Sequence, residues 1–332
     1  MKPALWFGGL SVLLSPFFFV LFRLAAFDTV PHDDYTPYLL WLDGNMQGGI
    51  PESPYCYRLL SMVMAWPLYR LMPAIPLTNL PASITAEALR ATAAITLLSY
   101  LAGIATALLT YRLGRTEGGL DRGHAMAAGA LAWALAWYTQ VTAIDTLALL
   151  AITAALCTIR IPWLFAAILL VSVGVNEKIA LVLAIWLVLR GVLDAGFRQV
   201  FRWQILAAIG AVALYALLVA TLKMPGNEYQ LRPGGFLGTI TENLEAYATA
   251  RGLLLNVLPI LALAVLALCG RPTGLFNRAD ALLIPALALV ALILTHLFQA
   301  GRIVMHAAPI FLIPALAEIA GRANAIRQEV KL

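Results

Sequence analysis

Long apolar runs alternate with short polar connections along almost the whole chain. The runs fall at about 5–27, 91–111, 124–140, 145–159, 161–175, 179–193, 203–222, 252–269, 280–298 and 303–320. A membrane-spanning helix takes roughly 20 apolar residues. The pattern therefore predicts an all-α polytopic membrane protein of about ten transmembrane helices. A further apolar stretch, 57–73, carries Arg58, Trp66-Pro67 and Arg70, and reads as a helix lying at the interface rather than as a span.

Composition narrows the picture. Of 332 residues, 62% are hydrophobic and only 12% charged, with mean hydropathy +0.86, against about 25% charged in an ordinary soluble domain. Ten spans leave about 130 residues, too few for loops plus a soluble catalytic domain. Residues 1–332 thus form a single integral membrane domain with no separate soluble domain. The net charge is +5, but no basic run exceeds two residues, so nucleic acid is not an expected partner. Cys56, Cys157 and Cys269 are too scattered for a disulfide framework or a cysteine metal cluster. The first apolar run lacks an Ala-x-Ala cleavage site and reads as a retained span.

Charge sets the orientation. With 57–73 excluded as a span, 13 lysines and arginines fall on one face and 9 on the other, while the acids divide 6 against 11 in the opposite sense. The positive-inside rule makes the first face, which holds both termini, cytoplasmic. The first external loop, 28–90, then contains eight of the eighteen prolines, which lipid-exposed helix does not tolerate. It and a second external loop, 223–251, are expected to carry interfacial helices.

The costly polar residues converge on the external surface. Asp33-Asp34 follow the first span, Arg58 opens the interfacial helix, Asp145 opens the fourth span, Glu177-Lys178 the sixth, and Arg302 the tenth. Ionisable groups at membrane depth mark a substrate path or a water-filled cavity. Each also has a plainer reading. Asp33-Asp34 make a solvated turn with a helix cap, or a base for an acceptor hydroxyl, or a metal ligand. Arg58, beside Tyr57, snorkels or forks onto a phosphate. Glu177 and Lys178 form an internal pair capping a helix, or Glu177 orients Lys178 on a phosphate. Gly301 before Arg302 permits close backbone approach. Asp145 caps a helix or joins the site, and His32 and His306 hydrogen-bond locally or assist.

No phosphate-binding glycine loop is present, since Gly234-Gly235 lacks a following Lys-Ser/Thr. No matching broken helices mark the two halves as transporter repeats. Gly103 with Ala107 reads as helix packing.

Taken in order, these features run along most of the chain: the acidic pair after the first span, the Tyr57-Arg58 helix, the Glu177-Lys178 opening, and the segment Gly301-Arg302-Ile303-Val304-Met305-His306-Ala307-Ala308-Pro309. They resemble integral-membrane glycosyltransferases of the GT-C class. The resemblance implies a polyprenyl-phosphate-linked sugar donor, a lipid or glycan acceptor, and transfer on the external or periplasmic face of a bacterial inner (cell) membrane. It implies Asp33 or Asp34 as the catalytic acid, Arg58, Lys178 and Arg302 as phosphate-binding cations, and Tyr57, His32, Asp145, Glu177 and His306 in support. Magnesium or manganese is the cofactor this chemistry admits, held by Asp33, Asp34 and Asp145. The chain lacks the terminal soluble domain of larger members. Two other expectations stand beside it: a flippase or anionic-solute transporter, which puts charge deeper in the spans, and a noncatalytic subunit of a membrane complex, which needs no converging cations.

Overall fold

The computed structural model describes residues 3–13, 36–44, 58–72, 86–138, 143–222, 235–294 and 300–329, and every regular element among them is helical. The apolar runs appear as α1 (Pro3–Leu13), α4 (Ala86–Thr116), α5 (Arg122–Tyr138), α6 (Ala143–Thr158), α7 (Pro162–Val173), α8 (Glu177–Leu193), α10 (Arg202–Leu222), α12 (Ala250–Cys269), α13 (Leu283–Leu294), α14 (Ala300–Met305) and α15 (Ala308–Glu329). Shorter helices are α2 (Thr36–Leu42), α3 (Leu59–Leu71), α9 (Ala195–Val200) and α11 (Gly235–Tyr247). Thus α3 stands where the interfacial helix was expected, and α11 lies in the second long loop.

Among the described residues, three helices are long and apolar enough to cross a membrane: α4, α10 and α12. Several others are shorter, α7 having 12 residues. That is about 18 Å of helix against a hydrocarbon core of about 30 Å. In α12 the exposed side chains Leu254, Leu258, Leu261, Val265 and Leu268 recur at helical spacing, and the buried ones, Asn256, Pro259, Leu263 and Ala267, line the opposite side. A helix of a soluble domain puts polar residues on its outer face. Here both faces are apolar, as a helix between protein and lipid requires.

Helix α4 is central, packing against α5, α6 and α3. Three of its buried hydroxyls return to its own backbone, Thr92 to Ala88 O (3.0 Å), Ser99 to Ile95 O (3.2 Å) and Thr106 to Ala102 O (2.8 Å), while the buried Thr110 hydroxyl has no hydrogen-bond partner among the described residues. Such bonds to the preceding turn satisfy a hydroxyl inside an apolar bundle within its own helix. Gly103 and Ala107 lie on this buried face.

Short turns make α4 to α8 a series of antiparallel neighbours, and contacts between distant turns define the two ends of the bundle. At one end Arg160, after α6, holds Glu117, after α4, through two bonds of 2.8 Å. There too Gln204, opening α10, donates to Ile159 O (2.5 Å), and Arg271 N, after α12, donates to Pro314 O (3.0 Å). Arg112, Arg115, Arg122, Arg190, Arg198, Arg202 and Arg278 lie toward this basic end. Asp121 caps α5 here, accepting from His124 N (3.0 Å), a bond that holds its carboxyl below the usual range.

The opposite end gathers the starts of α4, α6 and α8. Helix α3 lies across it. At its first turn Leu60 N donates to Gly174 O (3.1 Å), just before α8, and near its last turn Arg90 of α4 donates to Tyr69 O (3.1 Å) and sits over the Tyr69 ring (4.7 Å). Ser61, Met62, Ala65 and Tyr69 form its buried face, and Val63, Met64 and Trp66 its outer one.

One expected span is broken. The run 303–320 is two helices, α14 and α15, with a turn at His306-Ala307. The cause is Pro309, which cannot donate to the Met305 carbonyl and crowds it, yet fits the first turn of a new helix.

Candidate functional site

The end crossed by α3 collects the described residues of the predicted site. Arg58 sits at the N-terminus of α3 and Glu177 at that of α8, 119 positions apart. Arg58 Nε donates to Glu177 Oε2 at 2.8 Å, and its terminal nitrogen closes a second bond to Oε1. The pair is nearly buried, the Arg58 side chain 8% exposed and that of Glu177 14%. A fork-to-carboxylate bond of this kind fixes both partners in plane. Ser61 Oγ donates to Arg58 O (2.6 Å), which secures the turn that presents the guanidinium.

Lys178 follows at once, with only 8% of its surface exposed. Its backbone N–H donates to the Asn176 side chain (3.0 Å), so Asn176 is the N-cap of α8. Sequence reasoning passed over Asn176, although Asn before Glu-Lys and an apolar run is an N-cap signal. Glu177 was expected to pair with or orient Lys178; its hydrogen bonds to Arg58 also tie together two segments distant in sequence.

On α6, Asp145 is 2% exposed and faces His306, which is wholly buried at the turn between α14 and α15. His306 Nε2 lies 3.4 Å from Asp145 Oδ1, too long for a good hydrogen bond, and neither ring nitrogen of His306 has a hydrogen-bond partner among the described residues. Helix-capping alone does not account for an acid and an imidazole buried together.

Close packing holds this turn in place. A Cβ on Gly301 would run into the Leu255 carbonyl oxygen, so the backbone of α14 touches that of α12 as expected of this glycine. Pro259 cannot donate back to that same carbonyl, and residues 253–257 of α12 form a π-helical turn, a form enriched at functional sites. Asn256, in this turn and fully buried, accepts from Gly301 N (3.2 Å). It too escaped sequence reasoning; a lone Asn inside the run 252–269 was the available signal.

Beside these groups runs a groove of about 290 Å³ between α3, α6 and α7, lined by Met64, Leu147, Ile168, Val171 and Val175 among others. Its wall is almost entirely apolar, and Leu147 and Val175 each stand two residues from a charged member of the site.

Asp33, Asp34, His32 and Tyr57 lie outside the described residues, as does the side chain of Arg302, whose backbone belongs to α14. Of the expected metal set only Asp145 is described. Asp145 and His306 offer two donors, short of the six oxygens magnesium takes. Among the described residues no group of three or more His, Cys, Asp or Glu side chains forms a metal site.

Comparison with known proteins finds no family model, no curated protein and no solved structure that matches the chain. What the chain does has to be read from its own residues.

Proposed function

We propose that the chain is a membrane glycosyltransferase of the GT-C kind, moving a sugar from a polyprenyl-phosphate donor to a hydroxyl acceptor, a lipid or a glycan. In this proposal about ten helices cross a bacterial inner membrane with both termini in the cytoplasm, and the end crossed by α3 faces the periplasm. The observation that carries it is the burial, at that one end, of Arg58, Lys178, Asp145 and His306 beside an apolar groove. Burying such groups is costly, and a bundle retains them where they meet a charged substrate or one another.

The chemistry follows from this arrangement. Asp33 or Asp34 accepts the proton of the acceptor hydroxyl as its oxygen attacks the anomeric carbon. The bond from that carbon to the phosphate oxygen breaks in the same displacement, with inversion. Lys178 and Arg302 take the negative charge that develops on the departing polyprenyl phosphate, and fixed cations at low dielectric do this better than water. Arg58, already engaged by Glu177, serves as the anchor that seats α3 over the site. The isoprenoid tail lies along the groove of Met64, Leu147, Ile168 and Val171.

The test is transfer of labelled sugar from a polyprenyl-phosphate donor by membranes containing the wild type, Asp33→Asn, Asp34→Asn or Arg302→Ala. Loss of about 10²- to 10⁴-fold is expected in one aspartate variant, the range for removing a general base, and weaker donor binding in Arg302→Ala. Equal transfer in all four sinks the proposal, and charge-dependent movement of lipid without transfer would favour a flippase.

A further inference from the structure

The basic end, remote from the groups above, holds a second cavity. The 117–121 loop, the connection after α12 and the outer half of α15 enclose about 460 Å³, within the range of small-molecule sites. Its wall differs in kind from the apolar groove: Thr116, Glu117, Gly119, Arg271, Thr273 and Gly274 contribute to it. Glu117 is the one acid on that wall, and Arg160 already occupies both of its oxygens at 2.8 Å. Arg271 has no carboxylate within ion-pair distance among the described residues. The nearby Glu318 is engaged by Arg322 (2.7 Å). The wall therefore carries an uncompensated positive charge.

Hydrogen-bond donors accompany that charge. The backbone N–H groups of Gly119 and Gly274 donate to no acceptor among the described residues. Gly119 holds φ +60, a conformation that glycine adopts without strain. Thr273 Oγ1 receives Phe276 N (3.4 Å), which leaves its hydroxyl hydrogen available to donate. A guanidinium with backbone N–H groups and a hydroxyl is the donor set that receives a phosphate. Small residues on α15, Ala317, Ala320 and Gly321, keep the cavity open on its third side.

We infer that this cavity binds a phosphate group, borne by a phospholipid head or by a soluble phosphate ester. The inference stands apart from the transfer reaction and survives its failure.

The full chain, purified in detergent, is titrated with sn-glycerol 3-phosphate by calorimetry. In parallel, native mass spectrometry records its retention of phosphatidylglycerol against phosphatidylcholine. Saturable binding of glycerol phosphate identifies a soluble ester as the source, and preferential retention of phosphatidylglycerol identifies a lipid head. Either is expected to weaken about 10-fold or more in Arg271→Gln, the effect of losing a charged hydrogen-bond partner, and less in Thr273→Val. Arg198→Gln, which removes an arginine of the same end but not of this wall, should bind as the wild type does. Absence of both kinds of binding overturns the inference. So does an Arg271→Gln protein of unchanged thermal stability that binds both probes like the wild type.

Discussion

The two ends of the bundle both bury charge, but they use it differently. At the basic end Asp280 accepts from Asn277 N (2.6 Å) and Trp186 Nε1 (2.9 Å) and lies 3.2 Å from Arg190 Nε, while Arg190 also sits over the Phe197 ring. These contacts cap one turn and latch α8 to the connection ahead of α13, a structural role, although the buried Arg190 Nε makes no good hydrogen bond among the described residues. At the other end Arg58 and Glu177 join segments far apart in sequence, and Asp145 and His306 are buried without a good hydrogen bond between them. A buried cluster whose acid is held by two hydrogen bonds and an arginine explains itself by stability. At the end crossed by α3, neither nitrogen of the buried His306 imidazole has a hydrogen-bond partner among the described residues and an apolar groove runs close by, which is why the proposed transfer site is placed there.

Substitutions can break or sharpen this contrast. The largest effect on stability is expected from Glu177→Ala, which leaves the Arg58 guanidinium buried without its carboxylate. Loss of one partner of a buried pair costs about 3–5 kcal/mol, read as a fall in the thermal unfolding midpoint in detergent. The double variant Arg58→Met with Glu177→Leu should recover most of it. A Glu177→Ala protein as stable as the wild type would remove the anchor from the account.

Next comes Asp280→Asn at the basic end. It keeps the shape but weakens the bonds to Asn277 N and Trp186, for about 1–3 kcal/mol, and leaves sugar transfer per folded molecule unchanged. Reduced transfer with intact stability would erase the distinction between the ends. The smallest effect belongs to Arg160→Gln, since that arginine is 60% exposed. Exposed pairs are worth at most about 1 kcal/mol, and the difference from wild type should shrink in high salt.

Much of the architecture was legible in the sequence because apolar runs and helix-start residues act locally. The openings of α3 at Leu59 after Arg58 and of α8 at Glu177 follow from the boundary between polar and apolar positions. The close approach at Gly301 was likewise expected. The break at His306-Ala307 was harder to see because the run 303–320 is apolar throughout, although Pro309 stood within it. The pairings of Arg58 with Glu177 and of Asp145 with His306 could not be read at all. They depend on which helices pack together, and no local spacing encodes that. The length of α7 departs from a full span for the same reason, since its ends are set by packing and turns rather than by hydropathy.

The most direct measurement is labelled-sugar transfer from a polyprenyl-phosphate donor by the purified chain, comparing Asp33→Asn and Asp34→Asn with Asp280→Asn. The account predicts a loss of about 100-fold or more in one of the first two, with Asp280→Asn retaining wild-type transfer per folded molecule. Transfer undiminished in both Asp33→Asn and Asp34→Asn would contradict it.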